Sequence, residues 1–127
     1  MRMPKDIELD SSEASPDVVR FVTRCGKVSG TAYRASGMHE THYDVVTAKR
    51  LTQPQDERRP IAPQMVQRPC TIGDFDVIGQ VTSFFNDGVL IVEAHGFDFW
   101  VEPDIHEGAI RLKDWVELHI RKLTLYV

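Results

Sequence analysis

The residues of this chain whose types and spacing could support chemistry are first two histidines, His39 and His42, with Glu40 and Asp44 beside them. Zinc needs three or four nitrogen, oxygen or sulfur ligands that converge within about 2.3 Å of one point. If this segment is a strand, the spacing of three residues sends the two imidazole rings to opposite faces. His39 and His42 are therefore weak metal candidates, and we interpret the cluster as a solvated polar turn next to Gly37.

Glu93 and His95 are the second place where residue types and spacing suggest chemistry. Two residues apart on a strand they share a face, and a carboxylate can orient an imidazole for acid–base catalysis. The sequence has no Gly-x-Ser-x-Gly elbow and no phosphate-binding glycine loop, and Cys25 would need a base supplied by the fold. We therefore expect no cofactor and no catalytic residues. An unrecognised small enzyme, built around the histidines or Cys25, is the third of three functional hypotheses.

Trp100 is the residue that the sequence singles out as a contact with a partner. Residues 97–102 alternate so that Phe97, Phe99 and Val101 point inward, which leaves Trp100 on the outward row between two acids. A tryptophan in that position is either covered by another segment or exposed as an anchor for a partner. Trp115 shares its row with charged residues. Phe84 is predicted to lie on the opposite face of its strand from Val81 and Phe85. The partner-binding candidates are Trp100, Phe84, Trp115 and Arg121.

Charge is distributed unevenly along the chain, whose formal net charge is −4. Residues 1–17 and 71–127 carry −3 and −6, whereas residues 18–70 carry +5. Binding of single-stranded nucleic acid needs a cationic groove with aromatic platforms. The acidic last segment opposes phosphate, so this alternative depends on bases of the first half. Those candidates are Arg20, Arg24, Lys49, Arg50, Arg58 and Arg59.

Length and composition fit one globular domain. The chain has 127 residues, of which 42% are hydrophobic and 27% charged, values typical of a soluble protein. No apolar run approaches the ~20 residues that span a bilayer, and the charged first residues do not form a signal peptide, so we expect no membrane partner. Cys25 and Cys70 fit no metal or redox spacing, which favours a reduced, cytoplasmic protein. In an exported protein they could form a disulfide.

The elements of the first half are predicted to be an α/β extension. Residues 1–14 are acidic and aperiodic, which predicts a flexible leader. Residues 15–51 form the helix and strand part. Ser15-Pro16-Asp17 is typical of a helix start and favours a helix over 16–25, while the β-branched residues there leave a strand as the alternative. Strands are predicted over 27–35 and 42–51.

A proline-rich segment, residues 52–69, separates this extension from the second half. It contains four prolines. Since proline removes the backbone donors that a sheet needs, the composition predicts a long surface loop. The single domain then covers residues 15–127.

Residues 71–127 are predicted to be the five-strand part of a barrel. Val77, Val81 and Phe85 share one face of its first strand. In its last strand the apolar phase flips at Arg121-Lys122, as at a β-bulge, and a bulge lets a strand bend and serve two sheets. These features predict a mainly β protein: a small OB-like or related antiparallel β-barrel with an N-terminal α/β extension. The predicted core is Val81, Ile91, Phe97, Phe99, Val116, Leu118 and Ile120.

The absence of a catalytic motif and the presence of aromatic residues on outward rows lead to one functional expectation. We expect a non-enzymatic binding module that contacts another protein, or a second copy of itself in a homo-oligomer, through exposed aromatic residues and its uneven charge. Binding of single-stranded nucleic acid through the basic first half is the alternative.

Overall fold

A computed structural model describes residues 7–15, 17–23, 28–37, 41–51, 61–85, 88–102, 106–107 and 110–126, which form ten strands of one sheet. The mainly β prediction is confirmed. The strands are β1 (Ile7–Ser15), β2 (Val18–Thr23), β3 (Ser29–Ala35), β4 (His42–Leu51), β5 (Gln64–Gln67), β6 (Phe75–Phe84), β7 (Leu90–Ala94), β8 (Phe97–Val101), β9 (His106–Glu107) and β10 (Trp115–Tyr126). Within these ranges, no helix is long and apolar enough to cross a membrane.

Strand β10 is the centre of the sheet. The main path runs β1-β2-β3-β10-β6-β7-β8, with β4 also paired to β10 and β5 paired to β6. Strand β10 is antiparallel to β4 and β6 but parallel to β3. The sheet is therefore mixed and open, and the more specific prediction of a small antiparallel barrel with an α/β extension is not confirmed.

Strand β2 corrects the helix predicted over 16–25 within its described part, since residues 16, 24 and 25 lie outside the described residues. Val18–Thr23 is a strand in which Val19, Phe21 and Thr23 are buried and Arg20 is exposed. This period of two fits the β-branched residues, which outweigh the local helix-start signal once both neighbouring strands are present. The flexible leader predicted over 1–14 is corrected from residue 7 onward, because Ile7–Ser15 pairs antiparallel with β2, while residues 1–6 lie outside the described residues.

The segment predicted as a loop, residues 52–69, contains a strand. Gln64–Gln67 pairs antiparallel with β6, and Met65 is buried in the core. Pro63 and Pro69 lie on either side of this strand instead of interrupting it, so the ladder keeps its donors. Residues 52–60 of the predicted loop lie outside the described residues.

Strand β10 confirms the bulge predicted at Arg121-Lys122. Its inward side chains change from Val116, Leu118 and Ile120 to Leu123 and Leu125, and its pairing with β4 shifts between Arg121 and Thr124. Lys122 has a φ of 59°. The bend lets one strand pair with β6 through its first half and with β3 at its end.

The core contains six of the seven predicted residues, and the exception is Ile91. Leu90 and Val92 are buried on either side of it, whereas Ile91 is half-buried on the outer face. The predicted face of Phe85 is also wrong, because the alternation places it on the core face with Val81. The pairing of β6 with β7 shifts between Val81 and Ser83, so the residues after this irregularity change face, and Phe85 is exposed.

Candidate functional site

Phe85 and Trp100 form a stacked aromatic pair on the outside of the molecule. Their ring centroids are 4.9 Å apart and their planes are inclined by 25°. Trp100 lies on β8, and its neighbours Phe99 and Val101 are buried, as predicted from the alternation. Trp100 is 46% exposed and Phe85 41% exposed. Offset stacking of two rings adds about 0.5–1.5 kcal/mol beyond the area that they bury, so the pair has a defined geometry.

Ile91 extends this pair into a patch. In the ladder it lies opposite Trp100 on one side and opposite Ser83 on the other. Residues opposite each other in a ladder project from the same face of the sheet. We call Phe85, Ile91 and Trp100 the outer patch: three apolar side chains on the water-facing side of β6–β8.

Carboxylates surround the outer patch. Asp98 on β8 and Glu102, directly after this strand, are exposed on the two sides of Trp100 along the chain, and Glu93 lies opposite Asp98 in the ladder. Burial first, and then the negative charge of Glu93, raise the pKa of Asp98 above its usual range. Glu93 also accepts a hydrogen bond from the Gly96 backbone N–H at 3.1 Å. None of the ion pairs between described residues includes Glu93, Asp98 or Glu102.

Tyr43 joins β8 to β4. The Trp100 backbone N–H donates a hydrogen bond to the Tyr43 hydroxyl, and the Tyr43 ring meets the Phe99 ring edge-on at 5.2 Å. A shallow cleft between the two strands is lined by Tyr43, Asp44, Val45, Trp100 and Glu102. Because the Trp100 N–H already has a partner, β8 does not offer this donor to an added strand.

The other predicted partner-binding residues do not join the outer patch. Phe84 is exposed but lies opposite the buried Leu90, so it projects from the end of the core face. Trp115 is half-buried opposite Leu51 and Gln80, at the start of β10. Arg121 is exposed at the bulge of β10, opposite Asp44.

Three of the six bases proposed for nucleic acid lie within the described residues, and they are on two different strands. Arg20 lies on β2, and Lys49 and Arg50 lie on β4. Lys49 is opposite Glu117, and Arg50 Nε is 3.4 Å from the Asp114 carboxylate. Both positions therefore have acids close by. The other three candidates, Arg24, Arg58 and Arg59, lie outside the described residues.

The histidines have separate partners. The Tyr126 hydroxyl and His42 Nδ1 are 3.2 Å apart, and His39 lies outside the described residues. His95 Nε2 is 3.1 Å from the Pro63 carbonyl oxygen, so this nitrogen carries a proton and donates. His95 is in the turn after β7, with a φ of 49°, and does not continue the strand beside Glu93.

Neither a metal site nor a paired cysteine is found in the part of the chain that the structure describes. No group of three His, Cys, Asp or Glu side chains there is arranged to hold a metal ion. Cys70 is an exposed free thiol, and Cys25 lies outside the described residues.

Comparisons of the chain with protein-family models, with curated proteins and with solved structures found no match. The functional interpretation therefore rests on the outer patch itself. Sequence reasoning identified Trp100 and missed Phe85 and Ile91. The shifted register of β6, which moves Phe85 outward, has no signal in the local apolar period, since Phe84 and Phe85 are equally apolar.

Proposed function

We propose that the protein is a non-enzymatic binding module that contacts another protein through the outer patch. One observation carries the proposal: Phe85 and Trp100 are stacked on each other while each stays more than 40% exposed. Exposed tryptophans with ordered neighbours are frequent energetic centres of protein interfaces, because they bury a large area with little loss of side-chain entropy.

The surroundings of the outer patch favour a protein partner over nucleic acid. Glu93, Asp98 and Glu102 would repel phosphate groups, whereas a nucleic-acid platform needs bases beside its aromatic rings. Binding of single-stranded nucleic acid through the first half, and self-association through the outer patch, stay as alternatives for the test below.

An OB-like or related small barrel is the fold that we propose for β4, β6–β8 and β10. The Tyr43 contacts with Trp100 and Phe99 support it, because they connect the two strands whose edges would have to meet for closure. We also propose a cytoplasmic location, which is supported by the exposed free thiol of Cys70.

The test compares three baits in a lysate of the native host: wild type, Trp100→Ala and Val66→Ala. Val66 is the control because it is an exposed apolar residue on β5 and not part of the outer patch. A partner should be retained by wild type and Val66→Ala and lost by Trp100→Ala. With purified partner, the affinity of Trp100→Ala should be about thirty-fold lower, since a central aromatic anchor contributes about 2 kcal/mol or more.

Stability and self-association complete the test. The thermal unfolding midpoint of Trp100→Ala should fall little, because removal of a half-exposed ring leaves no core cavity. A large stability loss with unchanged binding would assign Trp100 to packing and overturn the proposal. Sedimentation that shows a dimer in wild type and a monomer in Trp100→Ala would identify the partner as a second copy. Retention of nucleic acid by all three baits would favour the alternative.

A further inference from the structure

We propose that the segment which docks on the outer patch is cationic, and that an arginine or lysine side chain of this segment lies on Trp100 between Asp98 and Glu102. The proposal rests on the proposed function and specifies the chemistry of the partner. The observation behind it is that an exposed aromatic ring and an exposed carboxylate, Trp100 and Asp98, lie on the same face of β8.

The carboxylates of this face form no ion pair with a described residue, and Glu93 accepts a hydrogen bond from the Gly96 backbone N–H. Asp98 and Glu102 are exposed on the two sides of Trp100, and Glu93 is directly opposite Asp98. Like charges directly opposite each other in a ladder destabilise a sheet. The two arginine–carboxylate ion pairs found among described side chains involve Asp76 and Asp114 instead. A cation from a partner would offset this repulsion, and the relief of the repulsion would contribute favourably to the free energy of binding.

Trp100 supplies the second half of the recognition. A tryptophan face attracts Lys and Arg more strongly than the other aromatic rings do, and the attraction grows when the cation loses water. Arginine adds a planar group that stacks on the ring while its N–H groups reach carboxylates. Phe85 stacks on Trp100 and restricts its orientation, so less side-chain entropy is lost when a partner arrives.

No base among the described residues forms an ion pair with the carboxylates of this face. Arg121 lies opposite Asp44 in the pairing of β10 with β4, and Lys122 follows it at the bulge. Neither forms an ion pair with Asp98 or Glu102. Because the Trp100 backbone N–H is bonded to Tyr43, this donor is not free for an added strand, and the proposed contact is made by side chains of the partner.

The experiment measures Trp100 fluorescence in a Trp115→Phe background, in which Trp100 is the only tryptophan. The probes are three capped peptides of equal length in which Ser alternates with Arg, with Gln or with Glu, and an oligothymidylate. We expect the arginine peptide to bind at least tenfold more tightly than the glutamine peptide, with an affinity that falls as salt is raised. The glutamate peptide and the oligothymidylate should not bind.

Two double variants with the same change of net charge provide the control. Asp98→Asn with Glu102→Gln should lower the affinity for the arginine peptide about fivefold or more, as expected for two exposed charge pairs. Asp17→Asn with Glu117→Gln removes two carboxylates that do not line the outer patch. This variant should change the affinity for the arginine peptide less than twofold. Glu102→Gln alone gives a second measurement if the double variant does not fold.

Equal affinity for the three peptides, tighter binding of the glutamate peptide or of oligothymidylate, or equal effects of the two double variants would overturn the cationic partner. If, in that case, wild type retains a host protein and Trp100→Ala does not, the proposed function stands and only the proposed charge of the partner is wrong. If retention of the host protein does not depend on Trp100, the proposed function is wrong whatever the peptides show.

Discussion

Adjacent residues on β8 have opposite surroundings, and this contrast defines the site at the scale of single residues. Phe99 is buried, with its ring 5.8 Å from Phe97 and 5.2 Å from Tyr43, while Trp100 is half-exposed on the other face. Truncation of a buried phenylalanine typically costs about 3–5 kcal/mol, so stability depends on Phe99. The proposed binding depends on Trp100, so substitutions at these two residues should separate stability from binding.

Asp98 provides a prediction about pH. Its pKa is raised, first by burial and second by Glu93, so ionisation costs more in the folded than in the unfolded state. The associated stability is fully present below the ordinary aspartate pKa of about 3.9 and is lost as pH rises through the raised value. We therefore expect Asp98→Asn to have a higher free energy of unfolding than wild type at neutral pH, and a difference that shrinks toward acid.

Urea unfolding of wild type and Asp98→Asn across this pH range checks the prediction. Glu93→Gln is the matched variant, since it removes only the second cause of the shift and should show the same trend with smaller size. If Asp98→Asn were less stable than wild type at every pH, the carboxylate of Asp98 would have a favourable partner and its raised pKa would be refuted.

At the scale of elements, the bulge of β10 determines which strands can meet. Before it, Val116, Leu118 and Ile120 face the core between β4 and β6, and after it Leu123 and Leu125 continue the core beside β3. Strand β3 can pair with β10 only because the bulge turns the end of that strand. The left-handed backbone of Lys122, with a φ of 59°, makes this turn.

Substitution at the bulge tests its geometry. A side chain at positive φ is strained and glycine is not, so we expect Lys122→Gly to leave the free energy of unfolding unchanged or raise it by up to about 1 kcal/mol. Arg121→Gly is the control at a neighbouring exposed position without positive φ, and it should lose about 0.5–1 kcal/mol. Equal losses in both variants, measured by urea unfolding, would mean that position 122 does not adopt the left-handed conformation.

At the scale of the whole molecule, the first strands and the later strands share one core. The Phe21 ring on β2 lies 5.8 Å from Phe75 on β6 and 5.9 Å from Phe97 on β8. The parallel pairing of Thr124–Tyr126 with Tyr33–Ala35 connects the same two parts through the backbone. From contacts of this kind we expect unfolding to be a single cooperative event, because neither part could keep its core without the other.

Phe21→Ala tests this cooperativity. Both tryptophans are in the second half, on β8 and β10. We expect Phe21→Ala to cost about 3–5 kcal/mol and to lower the midpoint of tryptophan fluorescence and of far-ultraviolet circular dichroism by the same amount. A fluorescence midpoint that stays at the wild-type value while circular dichroism shows an earlier transition would show that the first strands unfold independently.

The local period of the sequence was sufficient to determine β8 and β10. Alternation in residues 97–102 assigned Phe99 to the core and Trp100 to the surface, and the phase flip at Arg121-Lys122 located a bulge. These inferences succeed because side chains alternate strictly along a strand, so burial on one face leaves a direct pattern in the sequence.

Only the tertiary structure determined the strand β1, the strand β2 and the composition of the outer patch. Ile7–Ser15 is too polar to predict a strand and is paired by β2, and Val18–Thr23 begins with a helix-start signal that two neighbouring strands override. Phe85 reaches Trp100 through a shift in the β6–β7 register. Pairing register is a relation between segments distant in sequence, and its free energy comes from the partner strand, so no local pattern encodes it.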